Sequence, residues 1–256
     1  MTIHSNSEIS SSAELGEDVR VGPFSTIGPG VRIGDRTKIG PNVHIEAKAV
    51  IGADCQIFHG ASIGGDPQIA GVHNILSSVE IGDKTTVREF VTIHRSAKEN
   101  EKTIVGKGCL LMAYAHVAHD CVIGNEVILV NATSLSGHII VEDRAFISGM
   151  IGAHQFVRFG KLSMTGGMSR IVKDILPFCT VEGNPARLIG TNAVGLKRAG
   201  MAPATRSGLK KAVSFFMHDD LNTTQAIKKI EEEIEISDEI RYLVDFVNQS
   251  DRGIIR

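Results

Sequence analysis

Aliphatic side chains recur at every sixth position over most of this chain, beginning at Leu15. A spacing of six fits neither an α-helix nor a strand with alternating faces. It is typical of a parallel β-helix of hexapeptide repeats, in which three faces close one triangular coil. The pattern predicts one inward-pointing residue per face, at Leu15, Val21, Ile27, Ile33, Ile39, Ile45, Ile51, Ile57, Ile63, Ile81, Val87, Ile93, Val105, Leu111, Val117, Ile123, Leu129, Leu135, Val141 and Ile147, then with weaker character at Ala153, Phe159 and Thr165, and again at Ile171.

Glycine often follows the inward residue, as at Gly22 and Gly34. We interpret it as the residue that permits the turn at each corner. Stacked coils lie about 4.8 Å apart, so each backbone pairs with the coils above and below.

Two segments interrupt the repeat and are predicted to loop out of the coil, residues 65–78 and 95–103. Insertions in repeat arrays often lie on the binding face. The repeat fades near residue 188, and helical apolar spacing follows in 204–218, in 221–235 and from Ser237 to about Asn248. We therefore expect a β-helix domain over residues 1–190 and a small α-helical C-terminal domain over 191–256, which caps the last coil.

Composition narrows the classes of function. The formal net charge of −2 argues against nucleic acid as a partner, because phosphate binding normally leaves a basic excess. The N-terminus lacks a signal-peptide core, and no apolar run is long enough for a membrane span. Zinc-type spacing is absent from the cysteines, so we expect buried, reduced thiols in the cytoplasm at Cys55, Cys109, Cys121 and Cys179.

Histidines provide the candidate chemistry. In an uninterrupted coil, residues eighteen apart stack vertically, which places Gly137 over His119 and His138 over Asp120. By the same count His154 lies one coil further on. We interpret the cluster as a catalytic edge with a general base, against the alternative of solvated corner histidines. Asp120 is either the residue that orients the base or an ordinary corner aspartate.

The motifs AHVAHDC, NATSLSGH, GAHQF and NAVGLKRAG, with the ending RGIIR, resemble the UDP-N-acetylglucosamine acyltransferase family over nearly the whole chain. The resemblance implies a left-handed coil. It also implies transfer of a 3-hydroxyacyl chain from acyl carrier protein to the sugar 3-position, the first step of lipid A synthesis, with no cofactor and no metal.

The resemblance also assigns roles to residues. His119 becomes the general base, assisted by Asp120, and the Gly137 N–H stabilises the oxyanion. Substrate-binding roles in the sugar, acyl and nucleotide pockets fall on His116, His138, His154, Gln155, Gly167, Asn192 and Arg198. Gly167, with Gly166, matches the region that limits acyl length.

The first loop departs from the family, which carries an Asp and a Lys shortly after Pro-Gln. Here Pro67 and Gln68 are followed by IAGVHN, so both charged residues are missing, and Asp66 and His73 are the nearby replacements that we consider. N-acylation of a 3-amino UDP-sugar is therefore the alternative activity.

Further expectations concern partners. We expect a homotrimer in which loop 65–78 reaches the adjacent subunit. Acidic acyl carrier protein is expected to meet a basic surface formed by Arg158, Lys161, Lys197, Arg198, Lys210 and Lys211.

Two other classes of function compete with the acyltransferase. A β-helix carbonic anhydrase would bind zinc through His116, His119 and His138. A non-catalytic scaffold would require neither the clustered histidines nor the loops.

Overall fold

The computed structural model describes residues 1–46, 48–218 and 220–256. The chain forms the predicted parallel β-helix followed by helices. Each coil visits three parallel sheets in turn, called here sheets 1, 2 and 3, with eleven, nine and eight strands among the described residues. Among the strands that the structure describes, the one exception to parallel pairing is a terminal hairpin in sheet 1.

The strands are short, and most contain two residues. Sheet 1 consists of β1 (Thr2–Ile3), β4 (Arg20–Val21), β7 (Lys38–Ile39), β10 (Gln56–Ile57), β13 (Thr86–Val87), β16 (Leu110–Leu111), β19 (Ile128–Leu129), β22 (Phe146–Ile147), β25 (Met164–Thr165), β27 (Cys179–Gly183) and β28 (Ala186–Thr191). Sheet 2 consists of β2 (Glu8–Ile9), β5 (Thr26–Ile27), β8 (His44–Ile45), β11 (Ser62–Gly65), β14 (Thr92–His94), β17 (His116–Val117), β20 (Ser134–Leu135), β23 (Gly152–Ala153) and β26 (Arg170–Ile171). Sheet 3 consists of β3 (Glu14–Leu15), β6 (Arg32–Ile33), β9 (Val50–Ile51), β12 (Ser78–Ile81), β15 (Lys102–Val105), β18 (Val122–Ile123), β21 (Ile140–Val141) and β24 (Arg158–Phe159).

The predicted inward residues form the core. From Val21 to Ile171 each has a relative exposure of 4% or less, while Leu15 near the open end is half-buried. A second inward position, two residues earlier in each repeat, was not predicted. It holds small residues such as Val43, Thr85 and Ala115, and three of the four buried free cysteines, Cys55, Cys109 and Cys121. The prediction of buried cysteines is confirmed.

The interpretation of the repeat glycines as turn residues was wrong. The left-handed backbone at the corners falls three positions after the inward residue, mostly on non-glycine residues such as Arg36 (φ 57°) and Asp54 (φ 58°). Glycine is required directly after the inward residue because the next coil passes too close. A Cβ on Gly34 would lie 2.6 Å from the backbone nitrogen of Ala53.

The two interruptions of the repeat lie side by side. The loops themselves cover 66–77 and 95–101, because β11 and β12 include Gly65 and Ser78, and β15 already begins at Lys102. Ser78 and Lys102 pair as the first residues of neighbouring strands in sheet 3. Across these loops the number of residues between stacked positions rises from eighteen, so Thr92 pairs with His116, twenty-four positions later.

The C-terminal segment contains an unpredicted hairpin and four helices. The hairpin of β27 and β28 extends sheet 1 past the last coil. The helices are α1 (Ala193–Arg198), α2 (Pro203–Met217), α3 (Thr223–Glu233) and α4 (Asp238–Asn248). Helices α2, α3 and α4 lie close to the predicted positions, whereas no separate helix was predicted at α1. The Arg158 guanidinium lies 4.2 Å above the ring of Phe246 and pairs with Glu142, which ties α4 to sheet 3.

No described helix combines the length and apolar character needed to cross a membrane.

The three corners of the triangular coil differ in their side chains. The apolar edge, between sheets 1 and 2, exposes Phe24, Phe90, Tyr114, Met150 and Met168. The charged edge, between sheets 3 and 1, carries residues such as Arg36, Asp54, Glu126 and Arg144. The histidine edge, between sheets 2 and 3, carries His119, Asp120, Gly137 and His138.

Candidate active site

Gly137 lies directly over the ring of His119, as the eighteen-residue count predicts. The strands before them pair in that register, with Val117 opposite Leu135. A Cβ at position 137 would stand 2.5 Å from His119 Nε2, so only glycine fits above this ring. His119 is 6% exposed, which excludes the alternative of a solvated corner histidine for this residue.

His119 and Asp120 form a buried pair. His119 Nδ1 lies 2.7 Å from Asp120 Oδ2, and both side chains are less than 10% exposed. Burial alone would raise the pKa of Asp120, but hydrogen bonds from Ser96 and His119 outweigh it and lower the pKa below its ordinary value. Asp120 is therefore ionised and accepts the Nδ1 proton, which leaves the lone pair on Nε2, under Gly137.

The second loop encloses the same carboxylate. The Ser96 hydroxyl donates to Asp120 Oδ1, and the Ala97 N–H donates to Oδ2 at 3.4 Å. The backbone N–H of Asp120 donates to Thr103 Oγ1 at 2.9 Å. These contacts give Asp120 a set of partners that an ordinary corner aspartate would not need.

His138 borders the pair from the next coil. Its Nε2 lies 3.6 Å from Asp120 Oδ2, and its ring packs edge-on against His119 with 5.1 Å between ring centroids. On the other side it stacks on Phe156 at 4.6 Å and 6°. Burial and the nearby His119 and Lys98 lower the pKa of His138, although Asp120 opposes this shift.

The zinc arrangement that the sequence suggested is not the one that forms. Among the described residues, side-chain atoms of His119, Asp120 and His138 approach within 4.8 Å of one another, and His116 is not in the group. The hydrogen bonds of Asp120 account for this approach. We assign no metal to it.

His116 faces a neighbouring part of the site, on sheet 2. Its Nδ1 lies 2.7 Å from Thr92 Oγ1, and its ring packs edge-on against His94 at 5.2 Å. Burial lowers the pKa of His116 to about 4, and the nearby His94 and His119 add to this effect. His116 is therefore neutral at physiological pH.

The backbone N–H of Gly137 donates no hydrogen bond to any described residue. Glu17 and Asn125 at the charged edge stand at the same place as Gly137, two residues after the inward residue. Their N–H groups are capped by a side chain of the next coil. Asp35 accepts from Glu17 and Asp143 accepts from Asn125, at 2.8 and 2.7 Å. The residue in the corresponding place above Gly137 is Gln155, which is exposed and leaves the N–H free.

The remaining predicted residues lie further away. His154 and Gln155 are exposed one coil beyond Gly137. Asn192 is buried and caps α1: its Oδ1 accepts from Gly195 N at 3.0 Å, and its Nδ2 donates to the Leu162 carbonyl at 2.9 Å. Arg198 is exposed and lines a surface cavity of about 620 Å³ with Lys197 and Arg206.

Gly166 and Gly167 lie on the apolar edge, which is a different corner of the coil from the one that holds His119. A Cβ on Gly166 would meet Glu182 at 2.5 Å, whereas the nearest atom to a Cβ on Gly167 is the Gly149 oxygen at 3.7 Å. Gly167 therefore leaves space for a neighbour. Asn192 and Arg198 lie near the charged edge, so one chain does not bring the whole predicted pocket together.

The first loop does not leave Asp66 free to replace the missing aspartate. Its carboxylate pairs with Arg95, and its carbonyl oxygen contacts His94 Nδ1. Arg95 also lies 3.7 Å from Glu46. His73 is exposed on the loop.

Several site residues escaped the sequence reasoning, namely Thr92, His94, Ser96, Thr103 and Phe156. Four of them lie next to the second loop, where counting by eighteen fails. Ile93 and Val117 are twenty-four apart and still in phase with the repeat. Because twenty-four is a multiple of six, the repeat could have been continued across the loop, and it would have placed His94 beside His116.

Comparisons with known proteins agree with this geometry. The profile described as "Udp N-acetylglucosamine O-acyltransferase; Domain 2" matches residues 174–255. The bacterial transferase hexapeptide profile matches 12–47, 30–65 and 102–137. An acyl-(acyl-carrier-protein)–UDP-N-acetylglucosamine O-acyltransferase of Burkholderia mallei is 40% identical over 69% of this chain and 69% of its own length. The chain belongs to the UDP-N-acetylglucosamine O-acyltransferase family.

Other members of the family support the same placement. The enzyme of that name from Gloeothece citriformis is 49% identical over 68% of this chain, but the alignment spans less than two thirds, 63%, of that relative's length. The crystal structure of a UDP-N-acetylglucosamine acyltransferase from Bacteroides fragilis is 39% identical, covers 99% of both chains and superposes with a TM-score of 0.94. The likeness therefore includes the loops and the C-terminal helices.

Proposed function

We propose that this protein transfers a 3-hydroxyacyl chain from acyl carrier protein to the 3-hydroxyl of UDP-N-acetylglucosamine, the first step of lipid A synthesis. The observation that carries the proposal is the stack of Gly137 on His119. It places an unpaired N–H beside the free Nε2 of a buried histidine that is held by Asp120. The names of the matched relatives supply the substrates.

The reaction needs one base and one oxyanion donor. His119 Nε2 removes the proton from the sugar 3-hydroxyl as its oxygen attacks the thioester carbonyl carbon. The carbonyl oxygen becomes an oxyanion, which the Gly137 N–H stabilises. When this intermediate collapses, the carbon–sulfur bond breaks, and the proton passes from His119 to the departing thiolate of acyl carrier protein. The thioester is already activated, so no covalent enzyme intermediate is required.

The neighbouring side chains fit the binding roles that the family implies. His116 and His138 flank the base and are held uncharged at neutral pH by burial, which suits contacts with sugar hydroxyls and the acyl chain. His154 and Gln155 extend the same edge by one coil. Arg198 suits the diphosphate, because a guanidinium pairs well with phosphate oxygens. For Asn192, whose amide caps α1, we keep the nucleotide contact as an expectation.

A homotrimer would complete the site. Asn192, Arg198 and Gly167 flank sheet 1 on either side, whereas His119 lies at the opposite corner of the triangle. If the histidine edge of one chain lies against sheet 1 of the next, the pocket assembles between two chains. The exposed Tyr114, Met150 and Met168 of the apolar edge support such burial, since large exposed apolar groups mark interaction surfaces.

We place the enzyme in the cytoplasm, where its acyl carrier protein donor and nucleotide-sugar acceptor would meet it. Four buried thiols without disulfides suit that reducing compartment. The acidic carrier protein would meet basic side chains near the C-terminal helices, at Arg158, Lys161, Lys197, Arg198, Lys210 and Lys211.

Mass spectrometry tests the reaction directly. The protein is incubated with a panel of acyl carrier protein thioesters and with either UDP-N-acetylglucosamine or its 3-amino analogue. We expect O-acylated UDP-N-acetylglucosamine and free carrier thiol. Product from the 3-amino sugar alone would overturn the assigned acceptor, and no product from either sugar would overturn the proposed function.

Light scattering tests the assembly. We expect the mass of three chains at micromolar concentration. A stable monomer that is fully active would contradict a pocket shared between chains.

A further inference from the structure

Ser96, in the second loop, is a fully buried hydroxyl that the reaction described above does not use. Its Oγ donates to Asp120 Oδ1 and accepts the N–H of Lys98 at 3.0 Å. The Asp120 Oδ2 atom is the one that contacts His119 Nδ1. The two oxygens of one carboxylate thus connect the loop to the base.

We propose that Ser96 is a positioning residue, which fixes the Asp120 carboxylate so that His119 keeps its Nε2 turned toward Gly137. This inference rests on the proposed function, since it assigns a role within that reaction. Without the Ser96 hydroxyl, Asp120 Oδ1 loses its one described side-chain donor inside a buried pocket. The carboxylate is then free to rotate toward His138, whose Nε2 lies 3.6 Å from Oδ2.

The first loop holds Ser96 in place. Ser77, itself buried, donates its hydroxyl to the Ser96 carbonyl oxygen at 2.6 Å. The backbone N–H of Asn100 donates to the carbonyl of Leu76 at 2.7 Å. A continuous set of hydrogen bonds therefore runs from the first loop through Ser96 and Asp120 to His119, and the first loop is the segment in which this chain departs from its family.

The charged and titratable groups around this pair are His116, His138 and Lys98. Ser96→Ala keeps all three residues, but it also removes the acceptor of the Lys98 N–H. A hydrogen bond from Ser96 lowers the pKa of Asp120, so its removal raises that pKa. Since the reaction requires the ionised carboxylate, the acid limb of the activity profile should move to higher pH.

The test compares Ser96→Ala with wild type in steady-state assays across pH. We expect kcat to fall about 10- to 100-fold, the ratio typical of losing one hydrogen bond to a charged group, with KM nearly unchanged. The acid limb should shift upward. In an Asp120→Asn background, Ser96→Ala should add little, because it acts through the carboxylate.

Ser25→Ala is the matched control. Ser25 is equally buried and donates to the Gly40 carbonyl at 2.7 Å, but it lies in an early coil at another corner. We expect Ser25→Ala to lower stability and leave the pH profile unchanged.

The carboxyl ¹³C signal of Asp120 provides a readout that does not depend on turnover. We expect its titration midpoint to rise in Ser96→Ala. An unchanged midpoint, or a loss of kcat with an unshifted acid limb, would overturn the inference. If wild type transfers no acyl group but the midpoint still rises, the contact stands and the proposed function fails.

Discussion

The charged edge and the histidine edge belong to the same coils. They differ in whether a side chain of the next coil caps the backbone N–H that lies two residues after the inward residue. At the charged edge a carboxylate or amide of the next coil caps several of these backbone N–H groups, as Asp83 caps Ala53 and Asn125 caps Lys107 at 2.8 and 3.1 Å. The preceding glycines make room for these caps: a Cβ on Gly124 would stand 2.5 Å from the Asp143 carboxylate.

At the histidine edge the residues directly after the inward residue are Ala118, Ser136 and His154, where the charged edge mostly has glycine. Among the described residues, no carboxylate caps the N–H of Gly137. The one carboxylate nearby, Asp120, points sideways to His119 and the second loop. Gln155 stands where Asp143 stands above Asn125, and because it is exposed it leaves the N–H of Gly137 available as a donor. The proposed oxyanion donor is therefore a backbone group that other coils use for a structural hydrogen bond.

The largest effect should come from the base. His119→Ala is expected to lower kcat about 10²- to 10⁴-fold, because it removes the Nε2 atom that we propose takes the proton. Arg36→Ala, which removes an exposed ion pair with Asp54 at the charged edge, is the control and should leave turnover and melting nearly unchanged. Steady-state kinetics at saturating sugar measures the difference. Wild-type turnover in His119→Ala would remove the base assignment.

Alanine substitution of one glycine at each edge should affect a different property, turnover at the histidine edge and stability at the charged edge. Gly137→Ala forces a methyl group against the His119 ring and displaces the oxyanion donor, so kcat should fall about 10²- to 10³-fold with little loss of melting temperature. In Gly34→Ala the methyl group meets backbone atoms of the next coil, so melting should drop while kcat per folded molecule persists. Equal melting losses with equal activity in both variants would show that the edges do not differ as described.

Gly167→Met should shift the preferred acyl chain toward shorter lengths. A Cβ at this position would meet only the Gly149 oxygen, at 3.7 Å, so a longer side chain fits there and fills the region that the family resemblance assigns to limiting acyl length. The ratio of kcat/KM for long over short thioesters should fall at least about tenfold. Retained turnover with the shortest accepted thioester shows that the protein is intact. An unchanged ratio would place the length limit elsewhere.

The smallest effect concerns stability and pH. The pKa of His116 is lowered from 6.5 to about 4 in the folded chain. As pH falls from 6.5 to 4, the unfolded chain takes up a proton that the folded chain refuses, so stability declines over that window. His116→Asn should lose less stability there in urea titrations at stepped pH. His73→Asn, on the exposed first loop, should behave as wild type, and identical slopes for all three proteins would contradict the assignment.

The sequence by itself determined the coil, the loops in outline and the stack of Gly137 on His119. The repeat of six residues per face and eighteen per coil can be counted along the chain. Because stacked coils pair in parallel, these counts directly give the position of each residue in the β-helix. The resemblance then gave the chain its family, which the comparisons confirmed.

The tertiary structure decided which of these groups are connected. Ser96 reaches the Asp120 carboxylate because the second loop folds back over the coil, and Thr103, in β15 after that loop, accepts the Asp120 N–H. No spacing rule extends across a loop of irregular length. The free N–H of Gly137 also needed the structure, because a side chain at Gln155 could have capped it as Asp143 caps Asn125. The place of Arg198 follows from the fold of the C-terminal helices, beyond the end of the repeat. Each is a relation between segments in space, and a periodic pattern along one chain carries no information about it.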